Sequence, residues 1–331
     1  MLNQDTLAQR KKKMRSVFFA IANGKFEEVQ RILKTNPKYV NIKDDIGRTL
    51  LDVAISCGNL QMAKFLFEKG GRPNLENYCN GKNTPVHDAA KWRDFATLKW
   101  AFEEEVLPMQ QILNIKDHDG WTPLDGVIAE GELETAKCLW EIGGRPNLKI
   151  YCDGLFTPVH KATMYFDTTV PTWVFKEGIL PLRALNIKDS DGWTPLDWAI
   201  ADLKFEMAQC LWKMGGRPNL EKYYDGNYTT VHKIAGGGYT NLLKWTFDEK
   251  IFPLDVFNMK DHKKRTPLDF AIVTGQQDAA AFLRRLRVYF VFSVMQCVKR
   301  DHQCVLRRLP DELLDMVVDV VASRFHLMVE W

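Results

Sequence analysis

The sequence predicts an all-α repeat solenoid, and three sets of internally repeated strings predict it. GGRPNL begins at Gly70, Gly143 and Gly215. TPVH or TTVH begins at Thr84, Thr157 and Thr229. RTLLD, WTPLD or RTPLD places a Thr at 49, 122, 194 and 266. Members of each set lie 72 or 73 residues apart, and interleaving the two Thr families gives steps of 35, 38, 35, 37, 35 and 37. A fixed period of this size signals stacked supersecondary modules, because one such module cannot bury its apolar face alone.

Each element of the roughly 36-residue module follows from its residues. In Thr122-Pro123-Leu124-Asp125 the Thr caps a helix start and Pro takes the first turn, where a missing N–H costs nothing. Asp three residues after the cap can accept from the cap N–H and meets the positive helix end. A break at Glu130-Gly131-Glu132 separates this helix from a second with Ala136, Leu139 and Trp140 on one face. Gly143-Gly144 ends that helix, since glycine takes the left-handed conformation at little cost. Pro146-Asn147-Leu148 then opens an extended arm toward the turn signal Asp153-Gly154. In alternate modules a longer Pro turn at Pro108, Pro181 and Pro253 takes the place of the Gly end.

These motifs resemble the ankyrin repeat. TPLD and TPVH are similar to that family's Thr-Pro-Leu-His signature, and GGRPN to its Gly-Ala-Asp-Pro-Asn. Asp117-His118-Asp119-Gly120 is similar to its turn. Asp52, Asp125, Asp197 and Asp269 stand where the family has His. A looser copy over Val17 to Asp45 precedes the seven clear ones. The resemblance implies helix pairs joined by β-hairpin turns and partner binding on the concave side. The chain then divides into a basic segment 1–15, an ankyrin array of about eight repeats over 16–286, and a C-terminal helical cap over 287–331.

Composition excludes several function classes. Hydrophobic residues at 46% and charged residues at 26% are ordinary for a folded domain. A net charge of +3 offers neither a nucleic-acid groove nor a membrane patch. No apolar stretch reaches the ~18–20 residues of a membrane span. The seven Cys and the absence of a secretory signal predict reduced thiols in an intracellular, cytoplasmic monomer. The run Arg10 to Arg15 reads as a nuclear-import signal or as a solvated basic flank. The spacing of eight between Cys79 and His87, and between Cys152 and His160, breaks at Tyr224 and His232. No metal is therefore predicted, nor a cofactor or a catalytic residue. Gly236-Gly237-Gly238 lacks the flanks of a phosphate loop and reads as a helix end. Trp100, Trp140, Trp173, Trp212 and Trp245, at fixed helical positions, read as interior.

The residue before each cap Thr is the binding candidate, because it sits at the inner rim. Arg48, Asn83, Trp121, Phe156, Trp193, Tyr228 and Arg265 occupy it, all but Asn83 being partner-binding candidates, and Trp92 and Tyr165 at first-helix ends would line the same side. Trp, Tyr and Arg are enriched in binding hot spots. The alternative is that these rings stack on one another and stiffen the array.

Beyond the repeats, Leu309-Pro310-Asp311-Glu312-Leu313-Leu314 resembles the start of an F-box, as in the shortened tails of ankyrin proteins from large DNA viruses. That resemblance implies docking on an adaptor subunit of a cullin-type ubiquitin ligase through Leu309, Pro310, Leu313 and Leu314. The alternative is a helical cap over the last exposed apolar face of a scaffold or inhibitor.

Overall fold

The computed structural model describes residues 7–78, 84–91, 95–108, 112–151, 156–165, 167–223 and 229–286. The chain divides into two compact units, Met1–Ser190 and Asp191–Trp331.

The first unit stacks five helix pairs: Leu7–Ala22 with Phe26–Thr35, Leu50–Ser56 with Leu60–Glu68, Pro85–Lys91 with Phe95–Glu103, Pro123–Glu130 with Leu133–Glu141, and Pro158–Ala162 with Thr169–Lys176. The basic run from Arg10 to Arg15 lies inside the first of these helices. The first helix of each pair packs on the first helix of the next. Their small and branched side chains (Ala54, Ile55, Ala89, Ala90, Val127, Ile128, Ala162) are buried between them. The second unit repeats the arrangement with Pro195–Ala201 and Phe205–Lys213, Thr230–Gly236 and Thr240–Asp248, and Pro267–Val273 with a helix over 277–286.

The cap threonines perform as the sequence predicts. Thr49, Thr122, Thr194 and Thr266 each accept from the N–H three residues on, and the carboxylate there accepts from the cap N–H in return. In Thr157 and Thr229 the third residue is His, whose Nδ1 takes the cap N–H at 3.1 and 3.2 Å.

From Leu60–Glu68 to Thr240–Asp248 the second helices end alike in both kinds of repeat. The residue two past the helix is left-handed in all six: Gly70, Gly143 and Gly215 in one set, Glu105, Gly178 and Lys250 in the other. The expected Pro turn therefore follows a left-handed helix end and does not replace it. In the first set a further glycine is held against backbone: a Cβ on Gly144 would stand 2.6 Å from the Leu139 carbonyl oxygen. In the second set the apolar Val106, Ile179 and Ile251 are buried at that place instead.

The arms between repeats are tight turns with little strand pairing. Among the described residues an isolated bridge joins Lys43 to Thr49. After GGRPN the chain enters a short 3-10 turn, Leu75–Tyr78 or Leu220–Tyr223, where an extended arm was expected. Asparagines clamp one arm to the next. Asn41 Nδ2 donates to the Gly70 carbonyl and Asn41 Oδ1 accepts from the Arg72 N–H. Asn114 does the same with Gly143 and Arg145. In the return direction Asn74, Asn147 and Asn219 donate to the carbonyls of Gly47, Gly120 and Gly192.

Candidate functional site

Three of the described turn tips are built on an aspartate. Asp44 Oδ1 accepts from the N–H groups of Ile46 and Arg48, at 3.1 and 2.8 Å. Asp117 Oδ1 does so from Asp119 and Trp121, and Asp261 Oδ1 from Lys263 and Arg265. A carboxylate bonding its own backbone two and four residues on closes the loop and fixes the next residue, the rim position. Asp117, His118 and Asp119 bring three ligand-type atoms within 4.8 Å of one another, in an exposed turn.

The rim side chains do not stand bare. Arg48 folds back on its own turn, with Nε donating to Asp44 Oδ2 at 2.9 Å. Arg265 holds Asp261 Oδ2 at 2.8 Å while its guanidinium lies 4.1 Å from the Phe270 ring centroid. Trp121 is half-buried, and the Lys161 ammonium sits 5.9 Å from its ring centre. Phe156 stacks on His160 at 5.5 Å, and Trp193 tilts against Trp198 at 6.0 Å. Tyr165 is 37% exposed, and its hydroxyl donates to Glu130 of the preceding repeat. Trp121, Phe156 and Trp193 are thus backed by Lys161, His160 and Trp198, which are not rim residues, and still keep open area. Trp92, Tyr228, Leu309, Pro310, Leu313 and Leu314 lie outside the described residues.

The residue three past the cap secures the arm leaving its repeat, by two opposite means. Asp52, Asp125 and Asp197 are buried, and accept from the N–H of Asn74, Asn147 and Asn219 at about 3 Å. His87 and His232 point Nε2 at the carbonyls of Trp121 and Arg265, 3.0 and 2.9 Å away. Their Nδ1 atoms accept cap N–H groups, which leaves the ring proton on Nε2 to be donated. Asp therefore serves where the arm presents an N–H, and His where it presents a carbonyl. Burial pushes the Asp125 carboxyl up, against the hydrogen bonds from Asn147, Thr122 and Tyr151. The same burial, then the nearby Asp125 charge, pushes the Tyr151 hydroxyl well up.

Several working residues escaped the sequence reading. Tyr151, fully buried, donates to Asp125 at 2.8 Å. Its signal was present, since Tyr78 and Tyr223 also follow an Asp of the same kind by 26 residues. The arginine of GGRPN covers the aromatic five residues before it: Arg145 on Trp140 and Arg217 on Trp212, both at 4.2 Å, and Arg72 on Phe67 at 4.9 Å. Trp140 and Trp212, expected inside, are half-buried beneath these guanidinium groups. Cys138 and Cys210, on the same helices, are partly exposed.

A family model described as ankyrin repeats in three copies matches residues 17–106. Over residues 17–106 the units are ankyrin repeats. The fold is also that of the human ASB11 ankyrin repeat domain, whose crystal structure gives a TM-score of 0.51 at 17% identity over 71% of this chain and 98% of that one. Among curated proteins, the chain is 29% identical over 127 residues to the putative ankyrin repeat protein FPV014 of Fowlpox virus. That stretch is 38% of this chain and spans 28% of the viral protein. It is 27% identical over 184 residues to the probable 26S proteasome regulatory subunit p28 of Saccharomyces cerevisiae, which is 55% of this chain and 77% of the yeast protein. Ankyrin arrays are in general interaction scaffolds that bind protein partners. Among the described residues no helix is long and apolar enough to cross a membrane.

Proposed function

We propose that this ankyrin array captures a target protein over its turn tips and first-helix ends, without chemistry of its own. The observation that carries this reading is the set of half-buried rings at the rim, Trp121, Phe156 and Trp193, each supported on one side by a side chain from its own or the next repeat. Supported aromatics offer a partner a large rigid surface at little entropic cost, which is the composition of binding hot spots. Met164 and Tyr165, 46% and 37% exposed, extend the apolar area at a first-helix end. Replacing Trp121 and Trp193 together by Ala removes ring contacts worth about 0.5–1.5 kcal/mol each. Target capture is expected to drop at least tenfold while the melting midpoint moves by a few degrees. A collapse of the melting transition with capture unchanged would mean the rings only stiffen the array.

A more specific reading is an adaptor for a cullin-type ubiquitin ligase. It is favoured by the string Leu309-Pro310-Asp311-Glu312-Leu313-Leu314. The yeast relative's name as a probable 26S proteasome regulatory subunit supports it. Affinity purification of the full chain is expected to bring down a cullin and its adaptor subunit, and the Leu313→Ala, Leu314→Ala variant to lose both. Their absence from the unaltered chain would leave a scaffold or inhibitor whose tail caps the repeats.

A further inference from the structure

Four turn tips align residue by residue: Asp44 to Arg48, Asp117 to Trp121, Asp189 to Trp193 and Asp261 to Arg265. In the first three the fourth position is glycine with positive φ: Gly47 at 86°, Gly120 at 78° and Gly192 at 81°. The last tip places Lys264 there, at φ 60°. A left-handed backbone is unfavourable for a residue with a Cβ, so the turn geometry gives no reason for lysine at this point. The change is one of several at this tip. Where the other tips carry Asp45-Ile46, His118-Asp119 and Ser190-Asp191, this one carries His262-Lys263, added to a lysine before the anchor, Lys260, that it shares with the others as Lys43, Lys116 and Lys188.

All four of Lys260, His262, Lys263 and Lys264 are exposed. None of these side chains has a hydrogen bond or ion pair among the described residues. The tip's one carboxylate, Asp261, is buried and committed to the Arg265 guanidinium and to two turn N–H groups. It does not offset the four outward groups. Three lysines and a histidine thus converge on one hairpin end beside the rim.

We propose that this tip is the contact of the binding face that takes an acidic segment of the captured protein, an inference that rests on the interaction reading above. A single tip of four residues is too narrow to follow a row of nucleic-acid phosphates, where tight binders neutralise about 6–10. A net charge of +3 over the whole chain gives no wider cationic field for a membrane surface. Cations at a binding rim chiefly steer encounter and select partners, so the contact weakens with salt.

The probe is a fluorescein-labelled twelve-residue peptide of alternating Glu and Gly, titrated with the full chain in low salt and followed by anisotropy. The paired substitution Lys263→Glu, Lys264→Gly is expected to weaken binding at least tenfold. It should leave the melting midpoint unchanged or higher, because glycine relieves the left-handed residue. A purely structural tip would show the opposite pattern. The proposal is overturned if the unaltered chain does not bind the peptide, or if both proteins bind it equally. It is also overturned if a 20-base-pair duplex or phosphatidylserine vesicles bind more tightly than the peptide and lose that binding with the same substitution. Target capture separates this idea from its parent. If the Trp121, Trp193 variant impairs capture and the tip variant does not, only the acidic-segment proposal falls. If capture ignores the rim variant, the interaction reading itself falls.

Discussion

At position 232 an imidazole is held in a buried site with both nitrogens engaged, one by the cap N–H and the other by the Arg265 carbonyl. Burial lowers its pKa from the ordinary value near 6.5, outweighing hydrogen bonds that act the other way. The unfolded chain therefore takes up a proton at a pH where the folded chain does not. Stability from this group is complete above about 6.5 and is lost as pH falls below that value. Asp261 behaves differently. Burial pushes its carboxyl up, but the Arg265 and Lys263 amides and the Arg265 guanidinium outweigh this and hold it at about 2. Its contribution is present above the ordinary carboxylate range and is lost as pH falls from about 4 toward 2. Thermal melts between pH 7.5 and 5 are expected to show a falling midpoint whose slope is reduced in His232→Gln. Equal slopes in the two proteins would show that the burial of this ring is not felt. The alternation of Asp and His was plain in the sequence. Its reason was not, because spacing does not say whether the facing backbone atom is a donor or an acceptor.

Helix ends tell a parallel story one level up. The double glycine of GGRPN was legible as a stop signal, and both of its residues have distinct roles: the first adopts positive φ, the second lets the arm pass against the preceding carbonyl. In the other repeats the same left-handed step is taken by Glu105 and Lys250, at φ 52° and 54°, and by Gly178. The sequence hid this, since Glu and Lys carry no turn signature and the eye goes to the Pro three residues on. Glu105→Gly and Lys250→Gly are each expected to raise stability by about 1 kcal/mol, whereas Gly144→Ala drives a methyl to 2.6 Å from the Leu139 oxygen and destabilises. Denaturant midpoints of the three variants test the assignment. A loss of stability in either replacement by glycine would count against it.

For the molecule as a whole, period and helix pairing could be read from repeated strings, because stacking forces equivalent residues into equivalent surroundings. What could not be read was which neighbour backs each rim residue, since Lys161 beneath Trp121 belongs to the following repeat and shares no motif with it. Asp44, Asp117 and Asp261 likewise looked like generic turn residues until their bonds to the backbone appeared. The arm clamps have a consequence for how such a chain grows. Asn41 grips Gly70 and Arg72, and Asn114 grips Gly143 and Arg145, so a Pro-type arm is fastened to the Gly-Gly-Arg arm that follows it. Insertion or loss of a single module would leave a clamp with nothing to close on. Length in this lineage should therefore change by two modules at a time, and natural variants should differ by multiples of the 72- or 73-residue period.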